Sequence, residues 1–352
     1  MKNILMTLVT TGLVLGLTTP SVTALAKTTS TPSISTTVAQ DLVDQASGFS
    51  VPLGLAQAES TVKSALAAHP YINELVSSVD YSSSGSTTKV TVNWLQTKGQ
   101  TATVDAQINQ VLGRIVKPGM SDYDKEFVIH NWIVNHVAYD TSETKYTPYD
   151  AMVEGSAVCQ GIATLAYRML TTAGIPTYLV AGTAGGGSHL WDEVEIGGHW
   201  YQLDVTWDDP VNKQPGTVSY AYYNVTSAQL AKDHTWHTAG LPVANTNFES
   251  TIAALLKTTK DPEISQIASA TGISADLTSQ VVTAQTLKSV MQSDLNAHKK
   301  NFTLKFQGSM SQASGALNAL SSAGLYGFSS LSYTLSASPT AGDTMIDVTA
   351  AY

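Results

Sequence analysis

The chain has 352 residues, a formal net charge of −9, 43% hydrophobic residues and one cysteine. Acidic charge spread along the chain argues against nucleic acid as a partner, because phosphate binding needs a basic footprint. A lone cysteine excludes an internal disulfide, and beyond the N-terminus no segment is apolar enough to span a bilayer.

Read in chain order, Lys2 opens a short basic region, Ile4 to Leu17 is an uncharged apolar run, and Ala24-Leu25-Ala26 fits a small-x-small cleavage site. This predicts a signal peptide over 1–26 and a secreted, extracellular chain of about 325 residues, without stable membrane insertion after cleavage. Ser/Thr-rich residues 27–45 read as a flexible leader with too little apolar surface to fold. Residues 46–118 are expected to form an α+β lead-in: a helix from Glu59 to Ala68, a strand from Thr88 to Thr97 with Val90 and Val92 on one face, and a helix from Val104 to Val116 stopped by Pro118-Gly119.

The richest stretch is 119–245. Ser121 with Asp124 makes a capping pair for a helix from Tyr123 to Val137, with an apolar face of Phe127, Ile129, Trp132, Ile133 and His136. A loop over 139–150 precedes a second helix that opens at Cys159. Its apolar stripe is Ile162, Leu165, Ala166, Met169 and Leu170, and Gly174 with Pro176 ends it. Strands follow over 178–206. Residues 246–352 change to Ser/Thr/Ala-rich composition and read as a separate α/β module: helices Phe248–Lys257, Pro262–Thr271 and 311–323, and strands 301–307, 328–337 and 344–351. Nothing chemical stands out in it, so binding or spacing is its expected role.

Cys159 falls in the first turn of its helix, where unpaired N–H groups and the positive end of the dipole stabilise a thiolate. Its spacing to Ile162 and Ala166 also admits plain core filling. What separates the two is a base within reach. In HLWDEVEIGGHWYQLDVTW, 189–207, Gly197-Gly198 lies between two runs of strand type and predicts a two-residue hairpin. If Ile196 pairs with His199, Trp191 opposes Asp204, and His189 and Asp204 become diagonal neighbours on one face. A carboxylate bonded to one imidazole nitrogen fixes the tautomer and frees the other for proton transfer. Asp208 and Asp209 are rival partners, but their place before Pro210 suits a turn. His234-x-x-His237 after Asp233, and His130 with His136, fit no metalloprotease spacing, so neither metal nor cofactor is expected; His234 and Trp236 read as packing residues.

The segments YDKEFVIHNWIVNHVAYD, YDAMVEGSAVCQGIATLAYRMLTTAGIP and SHLWDEVEIGGHWYQLDVTWDDP, in that order, resemble the bacterial transglutaminase-like superfamily over about 115–242, and AKDHTW at 231–236 is similar to that family's tail. The resemblance implies an α+β, papain-like core in which a catalytic helix packs on an antiparallel sheet, flanked by small modules at both ends. It also implies a Cys159, His189, Asp204 triad working through a thioester, by amide cross-linking, deamidation or peptide hydrolysis. Gln160, Tyr149 and Trp191 are candidates for the second oxyanion donor, beside the Cys159 backbone N–H. Leu190 and Asp192 depart from the Ala and Asn more usual after the histidine; Asp192 is expected to disturb packing more than chemistry, though its charge could raise the thiol pKa. The expected partners are protein or peptide substrates such as cell-wall peptides or surface proteins. The alternative is a non-catalytic cell-wall or peptide-binding protein on the same fold.

Overall fold

A computed structural model describes residues 32–209, 211, 216–340 and 342–352. The signal-peptide assignment and the first leader residues, 27–31, lie outside them. No helix among the described residues is long and apolar enough to cross a membrane.

The first elements are α1 (Ile34–Val43), β1 (Gly48–Val51), α2 (Leu55–Ala67), α3 (Pro70–Glu74), β2 (Val76–Ser84), β3 (Thr87–Trp94) and α4 (Lys98–Ile115). The expected flexible leader is therefore corrected from Ile34 onward. Val38 and Leu42, one helical turn apart, are fully buried, and Ser33 caps the helix by accepting from the Thr36 N–H. Two apolar residues at the right spacing outweigh the Ser/Thr background. β1, β3 and β2 form an antiparallel sheet whose Val90 and Val92 pack on α1 and α2, as the alternation required.

Next come α5 (Asp122–His136), β4 (Ala138–Tyr139), α6 (Pro148–Glu154), β5 (Ser156–Ala157), α7 (Cys159–Thr172), β6 (Thr177–Ala184), β7 (Gly187–Ile196), β8 (His199–Leu203), α8 (Ser227–Leu230) and β9 (His234–Trp236). The Ser121–Asp124 capping box starts α5. His136, expected on its apolar face, is exposed, while Glu126 and His130 are buried there instead. β8, β7, β6 and β9 form one antiparallel sheet in that order. α7 packs on one face through Ile162, Leu165, Ala166, Met169 and Leu170 against Val194, Ile196, Tyr201 and Leu203. The other face carries a smaller cluster of Val180, Trp191 and Leu230. Burial on both faces explains why β7 is nearly continuous in burial although its sequence alternates.

The last elements are α9 (Phe248–Thr258), α10 (Pro262–Ala270), α11 (Ile273–Thr278), β10 (Gln280–Val282), α12 (Leu287–Asn296), β11 (Asn301–Phe306), α13 (Met310–Ala323), β12 (Ser330–Ala337) and β13 (Thr344–Ala351). The final sheet, ordered β10-β11-β13-β12, encloses its own core with α12 and α13. Apolar contacts divide the chain differently from the boundaries at 118 and 245. Val104, Ile108, Val111 and Leu112 of α4, and Phe248, Ile252, Ile264, Ile267 and Ile273 of α9 to α11, belong to the same core as α5 and α7. The result is a mixed α+β molecule with its largest core at α7.

Candidate active site

Cys159 is the first residue of α7, and its N-cap is Val158, whose side chain accepts no hydrogen bond. The neighbouring helices differ: Thr147 with Asp150 on α6, and Ser121 with Asp124 on α5, cap their own first turns. An apolar cap leaves the first N–H groups of α7 open beside the sulfur. Gly161 lets that turn approach closely, since a Cβ there would come within 2.6 Å of the Ala157 Cβ and 2.8 Å of the Thr147 carbonyl. The thiol itself is half-buried.

The hairpin forms in the expected register, with Ile196 opposite His199 and Asp192 opposite Leu203. Gly197 and Gly198 both take positive φ, 59° and 79°, as a tight two-residue turn requires. The ladder stops at Leu203, so the expected Trp191–Asp204 pair does not form. Asp204 turns away from the strand, its N–H donating to the Tyr222 carbonyl, and its Oδ1 accepts from the Trp207 N–H at 3.1 Å. The side chains still meet: His189 Nε2 lies 2.7 Å from Asp204 Oδ2.

The other side of the His189 ring serves Cys159. Burial pushes the thiol pKa up, but the His189 hydrogen bond and charge, with the Leu190 and Gln160 backbone N–H groups, outweigh it and hold the thiol below its ordinary value. Burial alone would lower the imidazole; hydrogen bonds and charge from Asp204 and Cys159 raise it to about 9. Asp204, 0% exposed, would be pushed up by burial, yet its bonds to His189, His234 and Trp207 leave it below the usual carboxylate value. Charge is thus favoured on all three groups.

A residue read as packing sits in this network. His234 Nε2 is 3.0 Å from the same Asp204 Oδ2, and its Nδ1 is 2.6 Å from Asp233 Oδ1. His189, Asp204 and His234 each offer a ligand atom within 4.8 Å of the others, a spacing a metal ion could also use. Two imidazole-to-carboxylate hydrogen bonds account for the approach without one.

Gln160 donates its side-chain amide to the Glu74 carbonyl at 2.7 Å, which ties the residue after Cys159 to α3. Trp191 is buried and gives its single N–H to Gln202 Oε1 at 2.8 Å, so it has no donor left for an oxyanion; its ring instead stacks on His189 at 5.8 Å. Tyr149 is half-buried on α6, with its backbone N–H donated to Gln96 Oε1. Asp208 pairs with His130, 3.1 Å from its Nε2, and accepts from the Tyr222 N–H; Asp209 is buried beside it. Asp192 is 1% exposed with neither carboxylate oxygen hydrogen-bonded, and burial drives its pKa far above the ordinary range. Burial thus disfavours the Asp192 charge, the direction that lessens its influence on the thiol.

Residues 109–205 match the model of the transglutaminase-like superfamily. The mouse (Mus musculus) Kyphoscoliosis peptidase is 23% identical over 186 residues, 45% of this chain and 28% of its own length. The human (Homo sapiens) Kyphoscoliosis peptidase is 24% identical over 123 residues, 30% of this chain and 19% of its own. The chain therefore spans about a quarter of the length of these curated relatives. A crystal structure of a TGase aligns with a TM-score of 0.31 at 18% identity, covering 43% of this chain and 50% of that one. The matched segment contains α5, α7, the hairpin, Cys159, His189 and Asp204, and it is over this segment that the chain is similar to the transglutaminase-like superfamily.

Proposed function

We propose that the protein is an exported thiol enzyme that transfers acyl groups through a thioester on Cys159, acting on glutamine carboxamides or peptide bonds of cell-wall or surface proteins. The observation that carries this reading is the line Cys159, His189, Asp204, in which the thiol is held acidic and the imidazole basic. His189 takes the thiol proton, and the thiolate attacks the carbonyl carbon. The tetrahedral oxyanion would lie at the open start of α7, within reach of first-turn N–H groups. Collapse breaks the C–N bond, and the departing amine takes its proton from His189. The thioester is then resolved by water, giving an acid, or by a primary amine, giving a new amide; in each case His189 accepts the proton and returns it to the sulfur. Asp204 stays ionised and keeps the imidazolium aimed.

The test is incubation with a glutamine-bearing peptide and a labelled primary amine, read by mass spectrometry. Amine incorporation marks transfer, ammonia release without incorporation marks deamidation, and new chain ends mark proteolysis. Cys159→Ala should abolish whichever appears. Peptide or wall binding unchanged by Cys159→Ala, with no turnover in the native chain, would favour the non-catalytic alternative.

A further inference from the structure

We propose that His234 is a positioning residue of this site, a second imidazole that holds Asp204 so that its carboxylate keeps its aim on His189. A buried carboxylate is stable only with its lone pairs filled. Asp204 receives one main-chain donor on Oδ1, from Trp207 at 3.1 Å, and two imidazoles on Oδ2, at 2.7 and 3.0 Å. His234 is itself held from behind. Its Nδ1 faces Asp233 Oδ1, the other Asp233 oxygen accepts from the Tyr222 hydroxyl at 2.8 Å, and the ring lies edge-on to Trp191 and 4.6 Å from Trp207.

β9 reaches this position because it pairs with β6, placing His234 opposite Ala184 and Trp236 opposite Gly182. The hydrogen bonds therefore run from Tyr222 through Asp233, His234 and Asp204 to His189, whose charge in turn acts on the thiol. Asp233 has a side chain 40% exposed, so the outer end of the run meets solvent, while the His234 and Asp204 side chains are fully buried. The titratable groups around His234 are Asp233 and Tyr222 toward Nδ1, and Asp204 and His189 toward Nε2, with Asp192 and Asp208 beyond Asp204. Removing the Nε2 donor leaves Oδ2 with the His189 bond alone, so the carboxylate is held less firmly in its orientation. His189⁺ then loses a fixed partner, and the thiolate loses part of what stabilises it.

The inference rests on Cys159 as the nucleophile, and the rate of iodoacetamide alkylation against pH separates the two. In the native chain the acid limb should lie below the ordinary thiol value. His234→Leu should move that limb upward by about one pH unit, the scale of one charge-assisted hydrogen bond. His234→Gln, whose amide nitrogen reaches the place of Nε2, should return most of the shift, whereas His234→Asn, too short to reach Oδ2, should not. If the leucine variant fails to fold, the Gln and Asn pair decides. An unmoved limb in a folded leucine variant, or equal limbs for Gln and Asn, overturns the role of His234 alone. A native limb at the ordinary thiol value overturns the nucleophile reading and this inference with it.

Discussion

Cys159 and His189 titrate as a pair, and the two limits of that pair set a pH window. The thiolate forms once pH exceeds the lowered thiol value, and the imidazolium persists until about 9. Turnover should rise through the first limit and fall through the second, a bell measured as kcat/KM against pH. Asp204→Asn removes the charge that raises the imidazole, so the alkaline limb should move down and turnover should drop at least about 100-fold. Glu126 shows the opposite case of a charge disfavoured. It is fully buried with the Tyr223 hydroxyl and Asn224 amide on one oxygen, and burial raises its carboxyl to about 8. Between the ordinary glutamate value and that point the folded chain binds a proton that the unfolded chain has lost, so stability falls as pH rises, by up to about 1.4 kcal/mol per pH unit. Glu126→Gln should flatten this slope in urea unfolding at about pH 5 and about pH 8, and Asp192→Asn should do the same, since its carboxyl is raised in the same direction.

At the scale of elements, the hairpin was readable because a Gly-Gly turn fixes register, and register fixes faces. The α7 stripe was readable for a similar reason, spacing alone placing Leu165 and Met169 inward. What spacing could not reach was contact made by distant segments. His234 arrives at Asp204 only because β9 pairs with β6, and no local pattern records which strand a three-residue segment will join. β2 escaped because its Ser-rich alternation is weak, β1 because it is only 4 residues long, and α1 because two buried residues sit in a polar background. One local signal does mark the site: a valine as N-cap of a helix that begins with cysteine supplies no side-chain cap to its first turn. Gly182 tests the β9 docking. A Cβ there would meet the Trp191 ring at 2.7 Å and the Thr235 carbonyl, so Gly182→Ala should push β9 outward and cost about 1–3 kcal/mol, read as a lower melting temperature together with slower Cys159 alkylation.

Among the described residues one large core and three smaller ones build the molecule, and specific contacts join them. Helix α3, which leads into the first sheet, reaches α7 through Gln160 on the Glu74 carbonyl, Tyr71 stacked on Tyr167 at 6.1 Å, and Arg168 above Tyr71. Arg168 also holds Asp105 of α4 by two bonds of 2.9 and 3.0 Å. The last sheet meets α9 and α11 through Thr340 on Glu249 and Asp276, and Lys305 on Asp276. Separate cores predict more than one calorimetric transition. Leu317→Ala, in the core of the last sheet, should lower one of them by about 2–5 kcal/mol and leave the Cys159 alkylation rate unchanged, because α13 shares no core with α7.

The most direct test of the central claim is the alkylation of Cys159 in the folded chain at about pH 6, followed by intact mass. An activated thiol beside His189 should take up one iodoacetamide group there, and His189→Ala should suppress the reaction while the fold persists. A thiol that stays silent until denaturant is added, or one that reacts equally well without the histidine, would contradict the account.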